Sequence, residues 1–242
     1  MKFSHFLFYK AFIGFLAVMI LIFGAMEKRA LQAALYCGLT SYRTLILDAG
    51  HGGEDGGAVS VTGALESQLN LSITKRARDL LGFYGISALL TREEDVSLHD
   101  ASAKSLREKK IADLKFRVNT VQTSDTPLLI SIHQNTFQDT RYSGAQVFYA
   151  PTNGSADLAE HMQKTLKTAL DPSNGRSAKQ IADSVYLMNH ITCPAILIEC
   201  GFLTNPEEEA RLRSDSYQKK IAAGISSALL TLSEIAKDTT GA

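Results

Sequence analysis

The chain has 242 residues, with 25 basic and 25 acidic side chains, a pI near 7.0 and 45% hydrophobic residues. This length fits one domain of ordinary size with a terminal extension, and the hydrophobic content is enough for a sizeable core. The balanced charge argues against a nucleic-acid binder, which should carry a basic face, so no nucleic-acid partner is expected. Cys37, Cys193 and Cys200 are too few and too irregularly spaced for a disulfide framework or a zinc finger.

The N-terminal segment differs in composition from the rest of the chain. Between Phe6 and Ala25 the only charged residue is Lys10. About 20 apolar residues span a bilayer as a helix, so residues 1–25 are predicted to form a hydrophobic helix that is either a membrane anchor or a signal segment. Cleavage after Ala25 would place the bulky Phe23 where signal peptidase needs a small residue, which favours the anchor.

The remainder of the chain alternates short apolar runs with amphipathic stretches. Residues 26–42 are expected to be a stalk, and residues 43–242 to be a single domain. Dense apolar runs predict strands at 45–47, 86–91, 127–132, 144–150, 186–188 and 195–198. Helical spacing and capping signals predict helices at 65–83, 111–121, 155–170 with Ser155 as N-cap, a short one opened by Asn205 and Pro206, and 215 to about 236. This alternation predicts an α/β fold with a mostly parallel twisted sheet covered by helices on both faces.

Ionisable residues follow three of the predicted strands. His51 lies in the glycine-rich loop DAGHGGEDGG after the first strand, His133 follows the run PLLISI, and Glu199 follows PAILI. The ends of parallel strands gather at one edge of a sheet, where ligands bind. Glu66 begins the first long helix, and helix starts lie near the same edge because each helix follows a strand. These four residues are therefore expected to converge.

Most of the four residues also have a plainer interpretation. His51 could be a surface side chain in a tight turn, and His133 could be a core imidazole bonded to backbone. Glu66 could be an acid favoured by the helix dipole. Glu199 is harder to explain in this way, because burying an unpaired carboxylate is costly. We therefore expect Glu199 to have a partner, either a metal or another group.

Two histidines and one carboxylate are a suitable ligand set for catalytic Zn²⁺, with one position left for water. A second carboxylate would then act as the base that takes a proton from the water and later protonates a leaving amine. The chain contains neither the GxSxG nucleophile motif nor the HExxH motif of zincins. The residues indicate a metal-dependent hydrolase and leave the roles of the two carboxylates open.

From about residue 44 to residue 236, the chain resembles the zinc-dependent N-acetylmuramoyl-L-alanine amidases of the Amidase_3 type. Six ordered blocks carry this resemblance: DAGHGG at 48–53, Glu66 with Asn70–Leu71, Thr91–Arg92, SIHQN at 131–135, Ser143–Gly144 and PAILIECGFLTN at 194–205. Their order and compatible spacing make the signal specific. One departure is Ala49, where the family usually has Pro; this loosens the loop but removes no ligand.

The resemblance implies roles residue by residue. His51, Glu66 and His133 would hold Zn²⁺, and Glu199 would be the catalytic carboxylate. Residues 43–242 would form the catalytic domain of a peptidoglycan hydrolase that cleaves the amide between the lactyl group of N-acetylmuramic acid and L-Ala. Separately, Arg92 and Asn135 lie at predicted strand ends and could face the substrate.

Within this family, the chain is most similar to the germination-specific spore-cortex amidases (the CwlD type). The features shared are the short length, the single N-terminal hydrophobic segment, the lack of wall-binding repeats and the extended segment 96–110. This similarity implies a role in the spore cortex, where removal of the stem peptide precedes muramic-δ-lactam formation. We expect a monomer held to the membrane by its N-terminal helix, with the catalytic domain outside the cytoplasm, in the cell envelope or spore intermembrane space. The need for an accessory protein stays open.

Two alternatives remain at the level of sequence. The chain could be a catalytically silent wall-binding or regulatory module that kept the fold, although the four intact site residues argue against this. It could also be a zinc peptidase that cuts within the stem peptide, because the same metal chemistry cleaves either amide.

Overall fold

The computed structural model describes residues 13–15, 17–20, 42, 44–99 and 102–232. The predicted anchor and stalk fall largely outside these residues; positions 13–15 and 17–20 are helical and exposed. Within the described part of the chain, no helix combines the length and the apolar character that crossing a membrane requires.

The described residues form one six-stranded sheet. Its strands are β1 (Thr44–Ala49), β2 (Ala88–Leu90), β3 (Pro127–Asn135), β4 (Gln146–Tyr149), β5 (Lys179–Gln180) and β6 (Ala195–Phe202). Their spatial order is β2-β1-β3-β6-β4-β5. Strand β4 runs antiparallel to β6, and every other neighbouring pair is parallel. The prediction of a mostly parallel sheet is confirmed.

Helices cover both faces of this sheet. They are α1 (Glu66–Phe83), α2 (Leu106–Gln122), α3 (Ser155–Leu170), α4 (Tyr186–Asn189), α5 (Pro206–Arg213) and α6 (Asp215–Leu230). Apolar residues of α1, α3, α5 and α6 join one buried cluster with the sheet, and those of α2 and α4 join another. Strand β1 contributes to both clusters, since Leu45 and Leu47 belong to the first and Ile46 to the second. A strand covered on both faces is apolar at consecutive positions, which explains its dense apolar run.

Helix α2 begins five residues before the predicted start at 111. The Ser105 side chain accepts a hydrogen bond from the Glu108 amide, and the Glu108 side chain accepts one from the Ser105 amide. This capping box satisfies backbone donors at the helix start, and it explains the earlier boundary. Ile111, at the predicted start, is 42% exposed. The buried face carries the charged Arg117, which a search for apolar periodicity does not detect.

The predicted strand at 186–188 is wrong, because these residues belong to the short helix α4. Leu187 and Met188 are buried in the cluster shared with α2, so their apolar character was interpreted correctly. A short apolar run occurs in buried strands and buried helical turns alike, and periodicity cannot separate the two.

Two predicted helix starts had different outcomes. Ser155 is the first helical residue of α3 instead of its cap; Gly154, with φ of 80°, occupies the cap position. The Ser155 hydroxyl accepts a hydrogen bond from the Ala195 amide. At α5 the prediction is confirmed, because the Asn205 side chain caps the helix and Pro206 is its first residue.

Candidate active site and metal centre

His133 and Glu199 lie near the carboxyl ends of the two central strands β3 and β6. The predicted strand ends at 132 and 198 were too early, because β3 continues to Asn135 and β6 to Phe202. The two residues are paired across these parallel strands, and the register shifts just beyond them, between His133 and Asn135. The two side chains therefore start from neighbouring positions at the edge where ligands bind in such sheets.

His51 reaches this edge from the loop that follows β1. Its φ of 61° lies in the left-handed region, which is uncommon for a residue with a side chain. The His51 and His133 ring centroids are 5.1 Å apart. Gly50 makes this approach possible, because a Cβ atom at that position would lie 2.2 Å from Cε1 of His133. The glycine next to the histidine is thus a steric requirement of the site.

Glu66, the first residue of α1, completes the cluster. Its Oε1 atom lies 3.0 Å from Nδ1 of His133, and its Oε2 atom lies 3.4 Å from Nε2 of His51. The candidate ligand atoms of His51, Glu66 and His133 all lie within 4.8 Å of one another. The structure thus brings together the three residues that the sequence suggested as metal ligands.

The Glu66 carboxylate is held in place by backbone donors. It is 4% exposed and accepts hydrogen bonds from the amides of Ala58 at 2.8 Å and Gln134 at 3.1 Å. Burial alone would raise its pKa, but hydrogen bonds from His133 and His51 outweigh burial and leave the pKa below its usual range. Glu66 is therefore an ionised candidate ligand in a fixed position.

Asp55 contacts the other nitrogen of His51 and was not identified from the sequence. Its Oδ2 atom lies 3.1 Å from Nδ1 of His51 and 3.3 Å from Nζ of Lys110. Burial lowers the pKa of His51, but hydrogen bonds to Asp55 and Glu66 outweigh burial and raise it to about 9. By accepting from Nδ1, Asp55 leaves Nε2 directed at Glu66, as second partners of metal-binding histidines commonly do. The available signal was an acidic residue four positions after a candidate ligand.

Glu199 has the features of a group that exchanges protons. Its Oε2 atom is buried and has no hydrogen-bond partner among the described residues. Burial raises the pKa of Glu199 to about 7, although the positive charge of His133 opposes this increase. A carboxyl group with a pKa near neutrality can act both as a base and as an acid at physiological pH. The unpartnered Oε2 atom of Glu199 leaves room for the metal or other group that the sequence led us to expect beside this carboxylate.

Two buried arginines hold the loop that carries His51. Arg92 donates to the carbonyls of Ala49 at 3.0 Å and Gly50 at 3.1 Å. Arg117 donates to the carbonyls of Ala49 at 2.9 Å and His51 at 2.7 Å. Arg92 is 3% exposed, so the expectation that it could face the substrate is wrong. Both side chains hold the loop that carries the candidate ligand His51.

The buried charge of Arg117 is balanced by two carboxylates. Arg117 pairs with Asp48 and, at 2.6 Å, with Asp113. Asp48 also accepts hydrogen bonds from Thr91 at 2.7 Å and Ser131 at 2.6 Å. Burial would raise the pKa of Asp48, but Arg117 and these hydroxyls outweigh it and lower the pKa to about 2. This network could not be predicted from the sequence, because its members come from four separate segments of the chain.

The donor set of this cluster fits Zn²⁺, because two imidazoles and one carboxylate are typical ligands of catalytic zinc. The buried and unpartnered oxygen of Glu199 is the kind of base that such a centre uses. An α/β domain with this arrangement at the carboxyl edge of its sheet has the layout of a metal-dependent hydrolase.

Comparison with known proteins defines the family. Residues 45–231 match the family model described as N-acetylmuramoyl-L-alanine amidase, Amidase_3, and the chain belongs to this family of peptidoglycan amidases. It is 38% identical over 191 residues to a germination-specific N-acetylmuramoyl-L-alanine amidase of Bacillus subtilis, which covers 78% of this chain and 79% of the relative.

Solved structures agree with this assignment. One is the CwlD amidase from Clostridioides difficile, solved in complex with the GerS lipoprotein. It matches this chain with a TM-score of 0.76 and 38% identity, and the match covers 79% of this chain and 98% of the CwlD chain. Another is an N-acetylmuramoyl-L-alanine amidase from Clostridium difficile 630, with a TM-score of 0.68 and 30% identity. This match covers 79% of this chain and 96% of the other chain. The family and the α/β fold predicted from the sequence are confirmed.

Proposed function

We propose that this amidase binds Zn²⁺ through His51, Glu66 and His133 and cleaves the amide between the muramic acid lactyl group and L-Ala. The observation that supports this most is the set of three donor atoms within 4.8 Å of one another. When bound, the zinc would polarise the scissile carbonyl and lower the pKa of water from 15.7 to roughly 7.

The protein's own residues account for the proton transfers. Glu199 takes a proton from the attacking water and delivers it to the L-Ala nitrogen as the amide breaks. Burial holds the pKa of this carboxyl group above its usual range in the metal-free site, which favours a group that both gains and loses the proton. Asp55 keeps the His51 ring oriented, and the two amides that bind Glu66 keep its carboxylate in place.

The biological role that we propose is stem-peptide removal in the spore cortex, as a step before muramic-δ-lactam formation. The 38% identity to a germination-specific amidase supports this role. The CwlD relative forms a complex with a lipoprotein, which supports an accessory protein for this chain as well. We further propose that the apolar segment 1–25 anchors the domain to a membrane, with the active site outside the cytoplasm.

A product assay tests the proposed activity. The purified full-length chain would be incubated with isolated sacculi, with and without a chelator, and the products analysed by mass. We expect glycan with free lactyl carboxyl groups and peptides that begin with L-Ala, both lost on chelation and restored by zinc. Peptides cut after L-Ala would instead indicate a zinc peptidase, and binding without any release would indicate a silent wall-binding module.

Metal analysis tests the ligand set separately from activity. His51→Ala and His133→Ala should bind far less than the roughly one zinc per chain expected for a three-ligand catalytic site. His190→Ala is the matched control, since this ring is exposed, stacks on Tyr186 with centroids 3.8 Å apart and contacts the Tyr186 carbonyl. Wild-type zinc content in either ligand variant would exclude the proposed site.

A further inference from the structure

A row of side chains crosses the sheet at the level of the active site. Gln146 on β4 is paired with Glu199 on β6, and Glu199 is paired with His133 on β3. Directly paired residues lie on the same face of a sheet, and neighbouring strands are about 4.8 Å apart. Gln146 therefore lies one strand beyond Glu199, on the side away from His133.

Arg176 is held next to this row by three kinds of contact. Its Nη1 atom donates to Oε1 of Gln146 at 2.9 Å, and its Nε atom donates to the carbonyl of Ser143 at 2.8 Å. Its guanidinium carbon lies 4.6 Å from the ring centroid of Phe202 and 5.5 Å from that of Tyr142. These contacts fix the position of the guanidinium group, which is only partly exposed.

The guanidinium group keeps unused donors. It has five N–H groups, and the two hydrogen bonds above use two of them. Within the described ranges, no carboxylate forms an ion pair with Arg176. Glu208 is near enough to interact with it electrostatically, but its oxygens accept from the amides of Gly144 and Phe202, each at 2.8 Å.

These donors border an open surface cavity. Two acidic residues line this cavity: Asp139, which pairs with Arg141 at 2.7 Å, and Asp171, which accepts a hydrogen bond from the Ser173 hydroxyl. Arg176 lines it together with Tyr142, Ser143 and Gly144. These three residues belong to the segment that connects the end of β3 to the start of β4, so the cavity lies at the same edge of the sheet as His133 and Glu199. A positioned guanidinium with free donors at a cavity is a typical binding group for a carboxylate, which it can bind with two parallel hydrogen bonds.

We propose that Arg176 binds the α-carboxylate of the second stem-peptide residue, the γ-linked D-glutamate that follows L-Ala. This inference rests on the proposed amidase function. An extended chain advances about 3.5 Å per residue, which puts this carboxylate roughly 7 Å from the scissile nitrogen. Gln146 lies one strand spacing of about 4.8 Å from Glu199, and its side-chain oxygen accepts from Arg176 at 2.9 Å, so the guanidinium group lies beside the strand next to Glu199. Arg176 thereby distinguishes a free carboxylate from an amide at this position.

The test compares two muramyl peptides that differ only in whether the D-glutamate α-carboxyl group is free or amidated. Wild-type protein should cleave the free acid with a kcat/KM about 10–100-fold higher, since a hydrogen bond to a charged group is worth that much. The difference should lie mainly in KM. Arg176→Gln should reduce cleavage of the acid to the level of the amide, and Arg176→Lys should recover part of the preference. Arg78→Gln, which removes an arginine paired with Asp79 and Glu93, should leave the preference unchanged.

The outcomes separate the two proposals. Release of a lactyl carboxyl group from neither substrate would overturn the amidase function and this inference together. Equal cleavage of both substrates by the wild type would overturn only the role of Arg176, and this comparison needs no variant to fold. An Arg176→Gln protein that loses activity equally on both substrates, with unchanged thermal unfolding and zinc content, would also overturn that role.

Discussion

His133 and Glu199 are direct neighbours across the parallel strands β3 and β6. A candidate metal ligand and the candidate catalytic carboxylate therefore share one rigid element of the sheet instead of depending on a mobile loop. Sites built on strands keep their geometry more accurately than sites on loops. The separate chemical roles of these two residues allow them to be tested independently.

Glu199→Gln should remove proton transfer without removing the metal. The amide has nearly the same shape as the carboxyl group but cannot accept the proton from water. We expect zinc content to stay at the wild-type level and kcat to fall by about 10²–10⁴-fold, the usual contribution of a general base. Metal analysis and release of L-Ala-terminated peptides would be measured on the same preparation. Wild-type turnover in this variant would exclude the proposed role of Glu199.

Asp55→Ala should weaken zinc binding although Asp55 is not a candidate ligand. Without the contact at 3.1 Å, the His51 ring loses the partner that orients it. Such second partners contribute about 10–100-fold to metal affinity. Asp55→Asn should recover part of this loss, because an amide oxygen can still accept from Nδ1. The adjacent Glu54→Ala is the control, since Glu54 is exposed and contacts Lys109 and His99 instead. Equal zinc affinity in all three variants would contradict the role of Asp55.

Gly50→Ala should disrupt the site by displacement of a ligand. The new methyl group would lie 2.2 Å from Cε1 and 2.3 Å from Nε2 of His133, so the imidazole must move. A displacement of about 1 Å at a catalytic centre can cost roughly 100-fold in rate. Gly82→Ala is the control, because no atom lies within 4 Å of a Cβ at that helical position. Activity and zinc content would be compared, and wild-type values for Gly50→Ala would show that the two residues do not approach as described.

Ionised Asp48 should stabilise the metal-free protein, and this stabilisation should be lost at acidic pH. Its pKa falls from an ordinary value of 3.8 to about 2 in the folded chain. Because the folded pKa is the lower one, its stabilising contribution is complete above pH 4 or so. It is lost as the pH falls towards 2, and it amounts to ~2 kcal/mol.

Asp48→Asn provides the measurement for this effect. The variant leaves Arg117 without one of its two carboxylates, so we expect its free energy of unfolding near pH 6 to be about 3–5 kcal/mol lower. The gap to the wild type should narrow between pH 4 and pH 2.5. Denaturant titrations of chelator-treated protein at several pH values would show this, and a gap that stays constant would contradict the assigned pKa.

The convergence of the candidate site residues could be predicted from the sequence. His51, His133 and Glu199 each follow a dense apolar run, and the carboxyl ends of parallel strands meet, so their convergence followed from topology. Glu66 was predicted to join them because it begins the first long helix, and helix starts lie near the same edge of the sheet. The family resemblance then separated ligand from base, which spacing alone left open.

The supporting contacts could not be predicted in the same way. Arg92, Arg117, Asp113 and Asp55 are charged residues in polar stretches, where a solvent-exposed position is the usual outcome. Three of them are buried in the assembled fold: Arg117 and Asp113 neutralise each other, and Arg92 and Arg117 satisfy loop carbonyls. The direction of β4 could not be predicted from the sequence either, because a short apolar run does not show whether a strand is parallel or antiparallel to its neighbour; β4 is antiparallel to β6.

The carbonyls of Ala49, Gly50 and His51 are all bound by arginines that come from distant parts of the chain. The loop thus gains its shape from the folded domain and not from its own covalent restraints, which explains how Ala49 can stand where relatives usually have proline. A preformed site of this kind does not exist in the unfolded chain, so metal binding and folding are thermodynamically linked. Free zinc at 100 times its Kd would add about 2.7 kcal/mol to the free energy of unfolding. Zinc supply would then determine how long the protein persists as well as how fast it works.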